Sequence, residues 1–289
     1  SKFDLVLINN GGYPGAQSAY IISFICKIFR RKKVFMIVRN YPSDSVDNSF
    51  YMKIISLIVN LFIDKVILVS DSLKGEMIKK SGIKIKKLVR IYNGINVKSK
   101  FSKEIKFNFK ENSIGIIGNL ENRKGHDVLI NSLPKIIKKF PLIKLYIIGS
   151  TSNINKKNLD ILIENLKIND NVEWIPYQNN IENIYRGLKI VVMPSKNYES
   201  FGRIAVEAMA FKKPIVASNV GGLKEIISNK HDGFLFDNGD SNKLADIILE
   251  ILNNNDLYDN LIKNGYKKFR LNFTSDIMSK NYYNLLNSE

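Results

Sequence analysis

Two glutamates, Glu199 and Glu207, bracket the stretch Glu199-Ser200-Phe201-Gly202-Arg203-Ile204-Ala205-Val206-Glu207. A turn of small residues leads into an apolar helical pattern that starts at Arg203. A helix start gathers unpaired backbone N–H groups and a partial positive charge, so such a turn suits phosphate or a polyhydroxylated ligand. Glu199 precedes the helix, and Glu207 lies inside it, about two turns later than Glu199 at 3.6 residues per turn, so the pair can address different parts of one extended ligand. Upstream, Asn119-Leu120-Glu121-Asn122-Arg123-Lys124-Gly125-His126 sets two adjacent cations, Arg123 and Lys124, before a glycine. On a strand-to-helix loop they can neutralise a diphosphate. Taken alone, Lys124-Gly125 is read more simply as part of a solvated loop.

Other chemistries find little support. The chain has 1 cysteine and 2 histidines, His126 and His231, which lie far apart without ligand-spaced partners. No Asp-x-Asp pair occurs, so no ready metal–diphosphate clamp is visible. No signal peptide is evident, and a cytoplasmic location is expected.

Charge is unevenly distributed. The formal total is +17, and residues 1–110 hold 21 Lys+Arg against 7 Asp+Glu, a net of +14. The remainder is almost balanced, so the first part is expected to meet something anionic: an acidic membrane surface, a lipid-linked diphosphate or nucleic acid. With neither a recognised motif nor regular aromatic–basic interleaving, nucleic acid is the least supported of the three.

The elements that must position these residues alternate between short apolar strands and helices. At 289 residues the length favours two domains. Strands are expected at Asp4–Ile8, Val34–Val38, Lys65–Val69 and Leu88–Tyr92, with helices Ala16–Phe29, Ser49–Ile63 and Ser72–Lys80 between them. The apolar run Tyr51–Ile63 is too short to span a bilayer and is expected to be a buried helix. Ser18–Phe29 reads the same way, although its basic tail would suit an interfacial helix. A second series starts at Ser113–Gly118 and runs through helix Asp127–Phe140, strand Lys144–Ile148, helix Lys157–Leu166 and strand Val172–Trp174. It continues with Ile181–Gly187, Ile190–Met193, helix Arg203–Ala210, strand Pro214–Ala217, helix Gly222–Ser228 and strand Phe234–Phe236. Three helices then close the chain. This alternation predicts an α/β fold with two Rossmann-like parallel sheets. The partition expected is 1–98 for a first, acceptor-side domain, 99–111 for a linker, and 112–272 for a second, nucleotide-sugar-binding domain. A last helix, 273–289, is expected to pack back on the first domain. Ligands bind beyond the carboxyl ends of parallel strands, so loops at Gly118, Gly149, Pro194-Ser195 and Ser218 should share a crevice facing the other domain.

Three blocks, "VSDSLKGEMIKKSGIKIKKLVRIYNGIN", "GNLENRKGHDVLINSL" and "ESFGRIAVEAMAFKKPIVASNVGGLKEII", occur in the order and spacing of the retaining group-1 glycosyltransferases, which have the GT-B architecture and a Glu-x7-Glu motif. The chain resembles that family from about Asp4 onward. The resemblance implies transfer of a sugar from a nucleotide-diphosphate sugar to a hydroxyl acceptor, without a further cofactor or a metal. The acceptor would be a saccharide or a lipid-linked molecule, and the setting bacterial surface polysaccharide or lipid-linked oligosaccharide synthesis. By the same resemblance, Lys124 and Arg123 would hold the donor diphosphate, and the backbone of Phe201, Gly202 and Arg203, beside Ser200, would serve phosphates and sugar. Glu199 would contact sugar hydroxyls, Glu207 would accept from the ribose hydroxyls, and Pro176-Tyr177-Gln178 would read the base. The basic first part would touch an anionic membrane at the inner face.

Two departures stand out. Asn119 replaces an arginine common in the family, and Arg123 is expected to supply that charge. Arg39-Asn40 stands where relatives commonly place a histidine that touches the donor sugar. The first domain also shows only four strands, so its N-terminal part is expected to be missing. Two other functions compete: a nucleotide-sugar epimerase of similar architecture, and a non-catalytic or half-enzyme binding subunit that needs a partner chain.

Overall fold

A computed structural model describes residues 4–29, 32–42, 50–97, 109–150, 153–178 and 180–287. It divides into two compact units, Ser1–Asn93 with Met278–Glu289, and Gly94–Ile277. Most of the expected linker, 99–111, falls outside the described residues, and the division comes earlier, after Asn93.

The first unit alternates β1 (Leu5–Asn10), α1 (Gln17–Ile28), β2 (Lys33–Val38), α2 (Phe50–Phe62), β3 (Lys65–Leu68), α3 (Asp71–Lys80) and β4 (Leu88–Arg90). All neighbours are parallel, in the order β1-β2-β3-β4. Parallel strands covered on both faces read as unbroken apolar runs, and Val34–Val38 and Val66–Leu68 are buried throughout. Two loops at the carboxyl ends are tied down. Asn10 donates from Nδ2 to the Pro14 carbonyl and accepts at Oδ1 from the Ala16 amide, each at 3.0 Å. The Arg39 amide donates to the Gly11 carbonyl at 3.2 Å, which joins the loops after β1 and β2.

The expectation that α1 and α2 are buried helices does not hold. Only Met52, Ile55 and Val59 of α2, and Ala19, Tyr20 and Ser23 of α1, are buried. Both helices are apolar on more faces than the sheet can cover, so a second stripe remains exposed.

The second unit holds β5 (Ser113–Ile117), α4 (His126–Ile137), β6 (Lys144–Ile148), α5 (Asn153–Asn165), β7 (Val172–Ile175), α6 (Ile181–Gly187) and β8 (Ile190–Met193). There follow α7 (Arg203–Ala210), β9 (Ile215–Ser218), α8 (Leu223–Ile226), β10 (Phe234–Phe236), α9 (Ser241–Asn253) and α10 (Asn255–Asn272), while α11 (Ser275–Asn287) starts here and belongs to the first unit from Met278 onward. Its six parallel strands run β10-β9-β8-β5-β6-β7. The core lies where Ile116, Leu145 and Val192 of the sheet meet Leu129 and Leu133 of α4 and Leu244 and Ile248 of α9.

Boundaries shift for local reasons. Helix α4 tolerates Pro134 in its interior and stops at Ile137, short of Phe140, where the amides of Lys139 and Phe140 share the Ile136 carbonyl. Helix α8 ends at Ile226 because Ile227 turns extended and Asp232 caps the Ser228 amide at 2.7 Å. The expected start of α5 at Lys157 lies inside a helix that begins at Asn153.

The Ile95 amide donates to the Phe273 carbonyl, and the Ser275 amide donates to the Ile95 carbonyl, at 2.9 and 3.0 Å. The chain thus enters and leaves this unit along one short ladder. Beyond it, Met278, Tyr282, Leu285 and Leu286 of α11 pack on Phe35, Ile37, Ile67 and Ile91 in the first unit's core.

Candidate functional site

Strand order reverses between β5 and β8, because the chain proceeds outward through β6 and β7 and then returns to the other side of β5. Ligand crevices of open parallel sheets form at such a switch point. Two loops meet there. After β5, Asn122–Lys124 makes a single 3-10 turn and Gly125 follows with φ +69°. A Cβ on Gly125 would stand 1.8 Å from the Pro194 carbonyl oxygen, so only glycine lets this loop close on the end of β8. The Lys196 amide donates to the Arg123 carbonyl at 2.8 Å, while Lys196 Nζ reaches Asp127 at 2.8 Å and Asn122 at 3.1 Å.

This stitching brings Lys124 Nζ to 2.7 Å from Glu199 Oε2, with the two side chains only 18% and 12% exposed. Arg123 Nη1 stands 4.0 Å from the same oxygen, while its Nε pairs with Glu121 at 2.6 Å. Ser195 Oγ donates to Glu199 at 3.4 Å. A half-buried carboxylate therefore holds the ammonium in place, and an arriving polyanion would compete with it for that cation.

Beyond Glu199, the chain turns through Ser200, Phe201 and Gly202, with φ +109° at Gly202, into α7. The Gly222 amide donates to the Glu199 carbonyl at 2.8 Å, and a Cβ on Gly222 would meet Phe201 backbone at 2.7 Å. The double glycine at 221–222 is thus a close backbone approach that fixes the turn before α7.

Glu207 is not a surface charge. It is 8% exposed, and both carboxylate oxygens are engaged: Tyr185 Oη donates to Oε2 at 2.8 Å and Arg203 Nε pairs with Oε1 at 2.7 Å. Tyr185, on α6, is fully buried and stacks on Phe211 with ring centroids 5.0 Å apart. Burial, reinforced by the Glu207 charge, pushes the Tyr185 hydroxyl well above its ordinary pKa, so it stays a donor. The side chain of Arg203 is itself 74% exposed.

A family model for glycosyl transferases group 1 matches residues 97–268. The chain belongs to that family. It is 34% identical over 220 residues to an uncharacterized glycosyltransferase of Methanocaldococcus jannaschii, which covers 73% of this chain and 56% of the relative. The capsular polysaccharide biosynthesis glycosyltransferase CapM of Staphylococcus aureus is 28% identical, covering 77% and 61%. The chain thus spans little more than half the length of these curated relatives. Among solved structures, Anabaena HepE in complex with UDP superposes with a TM-score of 0.86 at 22% identity, over 100% of this chain and 79% of HepE. TarM gives a TM-score of 0.78 at 20% identity, over 98% of this chain and 54% of that chain. At those identities the likeness speaks to the fold, an α/β arrangement with two parallel sheets.

Within the group 1 framework, Arg123, Lys124 and Glu199 form one cluster, with Ser200, Phe201, Gly202 and Arg203 as the turn that follows. Glu207 lies about one turn into α7, held by Tyr185 of α6. Tyr177 is not part of this cluster; it sits on the loop after β7, 68% exposed. Asn119 turns instead to Ser150, whose Oγ donates to Asn119 Oδ1 at 2.6 Å, joining the loops after β5 and β6. Among the described residues, no group of three His, Cys, Asp or Glu side chains could hold a metal ion. A cavity of about 530 Å³ lies elsewhere, at the carboxyl end of α7, lined by Arg186, Lys212 and Arg270 among others. None of Arg123, Lys124, Glu199 or Glu207 lines that cavity. Tyr185 and Lys196 were missed from the sequence. Only their helical or strand-end positions were legible there, with no sign of their partners 22 and 69 residues away.

Proposed function

We propose that this group 1 glycosyl transferase moves a sugar from a nucleotide-diphosphate sugar to a hydroxyl acceptor with retention of configuration. The setting would be surface polysaccharide or lipid-linked oligosaccharide synthesis. The carrying observation is the Lys124–Glu199 contact at the switch-point crevice, with Arg123 beside it and the start of α7 immediately following. HepE complexes containing UDP and UDP-glucose add support for a nucleotide-sugar donor.

In this reading the donor diphosphate displaces Glu199 from Lys124. Lys124, Arg123 and the backbone N–H groups at Phe201–Arg203 offset charge on the leaving nucleotide without a metal. Glu199, released, accepts from sugar hydroxyls. The diphosphate takes the proton of the incoming hydroxyl on the face from which it departs, so the new bond keeps the configuration of the old one. Glu207 accepts from the ribose hydroxyls once Arg203 swings away, and Tyr185 holds its other oxygen. Tyr177, exposed after β7, would fold over the base. The first unit would face the acceptor and lie peripherally on an anionic membrane, consistent with its net positive charge.

A nucleotide-sugar panel scored by thermal shift tests the donor half, since a bound donor raises Tm by mass action. At least one donor should stabilise the wild type and fail to stabilise Lys124→Ala. A panel in which no donor shifts the wild type would sink this reading. Hydrolysis or epimerisation of donor without an acceptor would instead favour an epimerase.

A further inference from the structure

We propose that the cavity between the β5–α4 loop and α5 is a second ligand site of the second unit, built for a neutral mono- or disaccharide, and that filling it draws Glu121 away from Arg123. The binding stands on residues outside the diphosphate cluster; only its effect on the diphosphate rests on the transfer reading above.

The cavity measures about 360 Å³, against roughly 300–1,000 Å³ for small-molecule sites, so it suits one or two sugar rings. Its lining runs from Leu120 to Leu162, within the segment matched by the group 1 family model, and includes none of Arg123, Lys124 or Glu199. Leu120, Leu159 and Leu162, which pack with the unit's core, give it an apolar wall. Asn122, Asn155 and Asn158 add amides that both donate and accept. Asn155 is already oriented, because its Nδ2 donates to the Leu120 carbonyl.

His126 carries the argument furthest. It lines the same cavity, is 4% exposed, and no protein group pairs with its Nε2. Buried polar atoms are almost always hydrogen-bonded, so an orphaned nitrogen at a cavity wall marks the place of a partner. Burial pulls the pKa of this imidazole down to about 4, so the ring is neutral at ordinary pH. What it lacks is a hydroxyl and not a counter-ion.

Charge narrows the ligand class further. The lining offers no cation to an anion. Its two carboxylates, Glu121 and Asp127, are already paired with Arg123 Nε at 2.6 Å and Lys196 Nζ at 2.8 Å, so a cation gains little. An apolar ligand would strand three amides and the imidazole. Sugar hydroxyls donate and accept at once, which matches this mixture. Glu121 links the cavity to the diphosphate cluster. A hydroxyl donating to it competes with Arg123 Nε, while Arg123 Nη1 stands 4.0 Å from Glu199. A filled cavity therefore frees the guanidinium for the diphosphate, and by reciprocity a bound diphosphate raises saccharide affinity.

Titration of the 289-residue chain with glucose, N-acetylglucosamine, maltose and chitobiose, read by saturation-transfer NMR, tests the site. At least one should bind the wild type and equally bind Lys124→Ala, whose substituted residue does not line the cavity. Asn158 is exposed, and Asn158→Trp should block entry and weaken binding about tenfold or more, with an unchanged circular dichroism spectrum. The milder Asn158→Leu removes one amide and should weaken binding about fivefold. Binding that survives in Asn158→Trp but is lost in Lys124→Ala would place the saccharide in the transfer crevice and overturn the site. Failure of every saccharide to bind would leave the cavity to water and overturn it as well. Bound saccharide should tighten UDP or GDP about fivefold, and Glu121→Gln should reach that affinity without saccharide. Unchanged affinity in both cases would overturn the link to Arg123. Donor-induced thermal shifts without saccharide should be the same in wild type and the Asn158 variants, and their absence throughout, with saccharide binding intact, would count against the transfer reading alone.

Discussion

Lys124 and Glu199 neutralise one another across 2.7 Å, and their substitutions should therefore act in opposite directions on free nucleotide. Lys124→Ala removes the cation from a half-buried site, and transfer should fall by about two to three orders of magnitude. Glu199→Gln leaves the cation and deletes its competitor. Free nucleoside diphosphate should then bind as tightly as in the wild type or more so, while transfer is lost with the sugar-hydroxyl contact. Calorimetry with the diphosphate, beside a transfer assay, separates the two; equal weakening of diphosphate binding by both substitutions would contradict the displacement model. Arg123→Ala should weaken donor binding several-fold, and unchanged turnover would show that Arg123 does not stand in for an arginine at 119. Tyr185→Phe strips a buried carboxylate oxygen of its donor and should cost about 1–3 kcal/mol in denaturant unfolding, with weaker nucleotide binding. The types and spacing of Glu199, Glu207 and Lys124 were legible in the sequence because each belongs to a contiguous motif. Tyr185 was not, because a partner on another helix becomes visible only when α6 and α7 are packed. The burial of Glu207 stayed hidden for the same reason.

At the scale of elements, period and punctuation placed the strands and helices well, and the misses have local causes. Helix α4 closes at Ile137, where the amides of Lys139 and Phe140 share the Ile136 carbonyl, and the extended Ile227 ends α8; neither effect is carried by apolar spacing. The harder error concerned α1 and α2. Apolar period shows that a helix has a face to cover, but it cannot say whether the fold supplies enough surface to cover two. The turn before α4 illustrates the opposite case. Gly125→Ala would force a left-handed backbone on alanine and drive Cβ into the Pro194 carbonyl. It should cost more than about 2 kcal/mol and separate Lys124 from Glu199. His126, the first residue of α4, is 4% exposed, and burial pulls its pKa down to about 4. The unfolded chain takes up a proton near the ordinary value of about 6.5, whereas the folded chain resists until about 4. Stability contributed at this site is therefore complete above the upper value and is lost as pH falls across that window, by about 3 kcal/mol at most. Urea unfolding at about pH 7 and about pH 5 should show a fall that His126→Leu reduces; an equal fall in the variant would assign it to other groups.

At the scale of the whole molecule, the net of +14 in residues 1–110 against near balance elsewhere was plain from the sequence, and two parallel sheets were expected from the alternation. Boundaries were less legible. The division at Asn93 and the return of the chain at Met278 depend on the pairing of Ile95 with Phe273 and Ser275, two segments far apart in sequence. Removing residues 278–289 takes away Tyr282 and Leu286, which cover Ile37 and Ile67. The first unit should then exchange amide hydrogens and yield to protease far faster, while the second unit keeps its donor-induced stabilisation. Uniform loss of protection in both units would show instead that they unfold together.

That return of α11 also has a consequence during synthesis. A ribosome delivers β1 to β4 before the second unit, but Phe35, Ile37, Ile67 and Ile91 receive the cover of α11 only when Met278 and the residues after it emerge. At ordinary elongation rates of about 5–20 residues per second, the intervening second unit delays that step by roughly 10–40 s. The first unit is therefore finished only after the second has been made, and through that interval its nascent apolar surface stands open to chaperones.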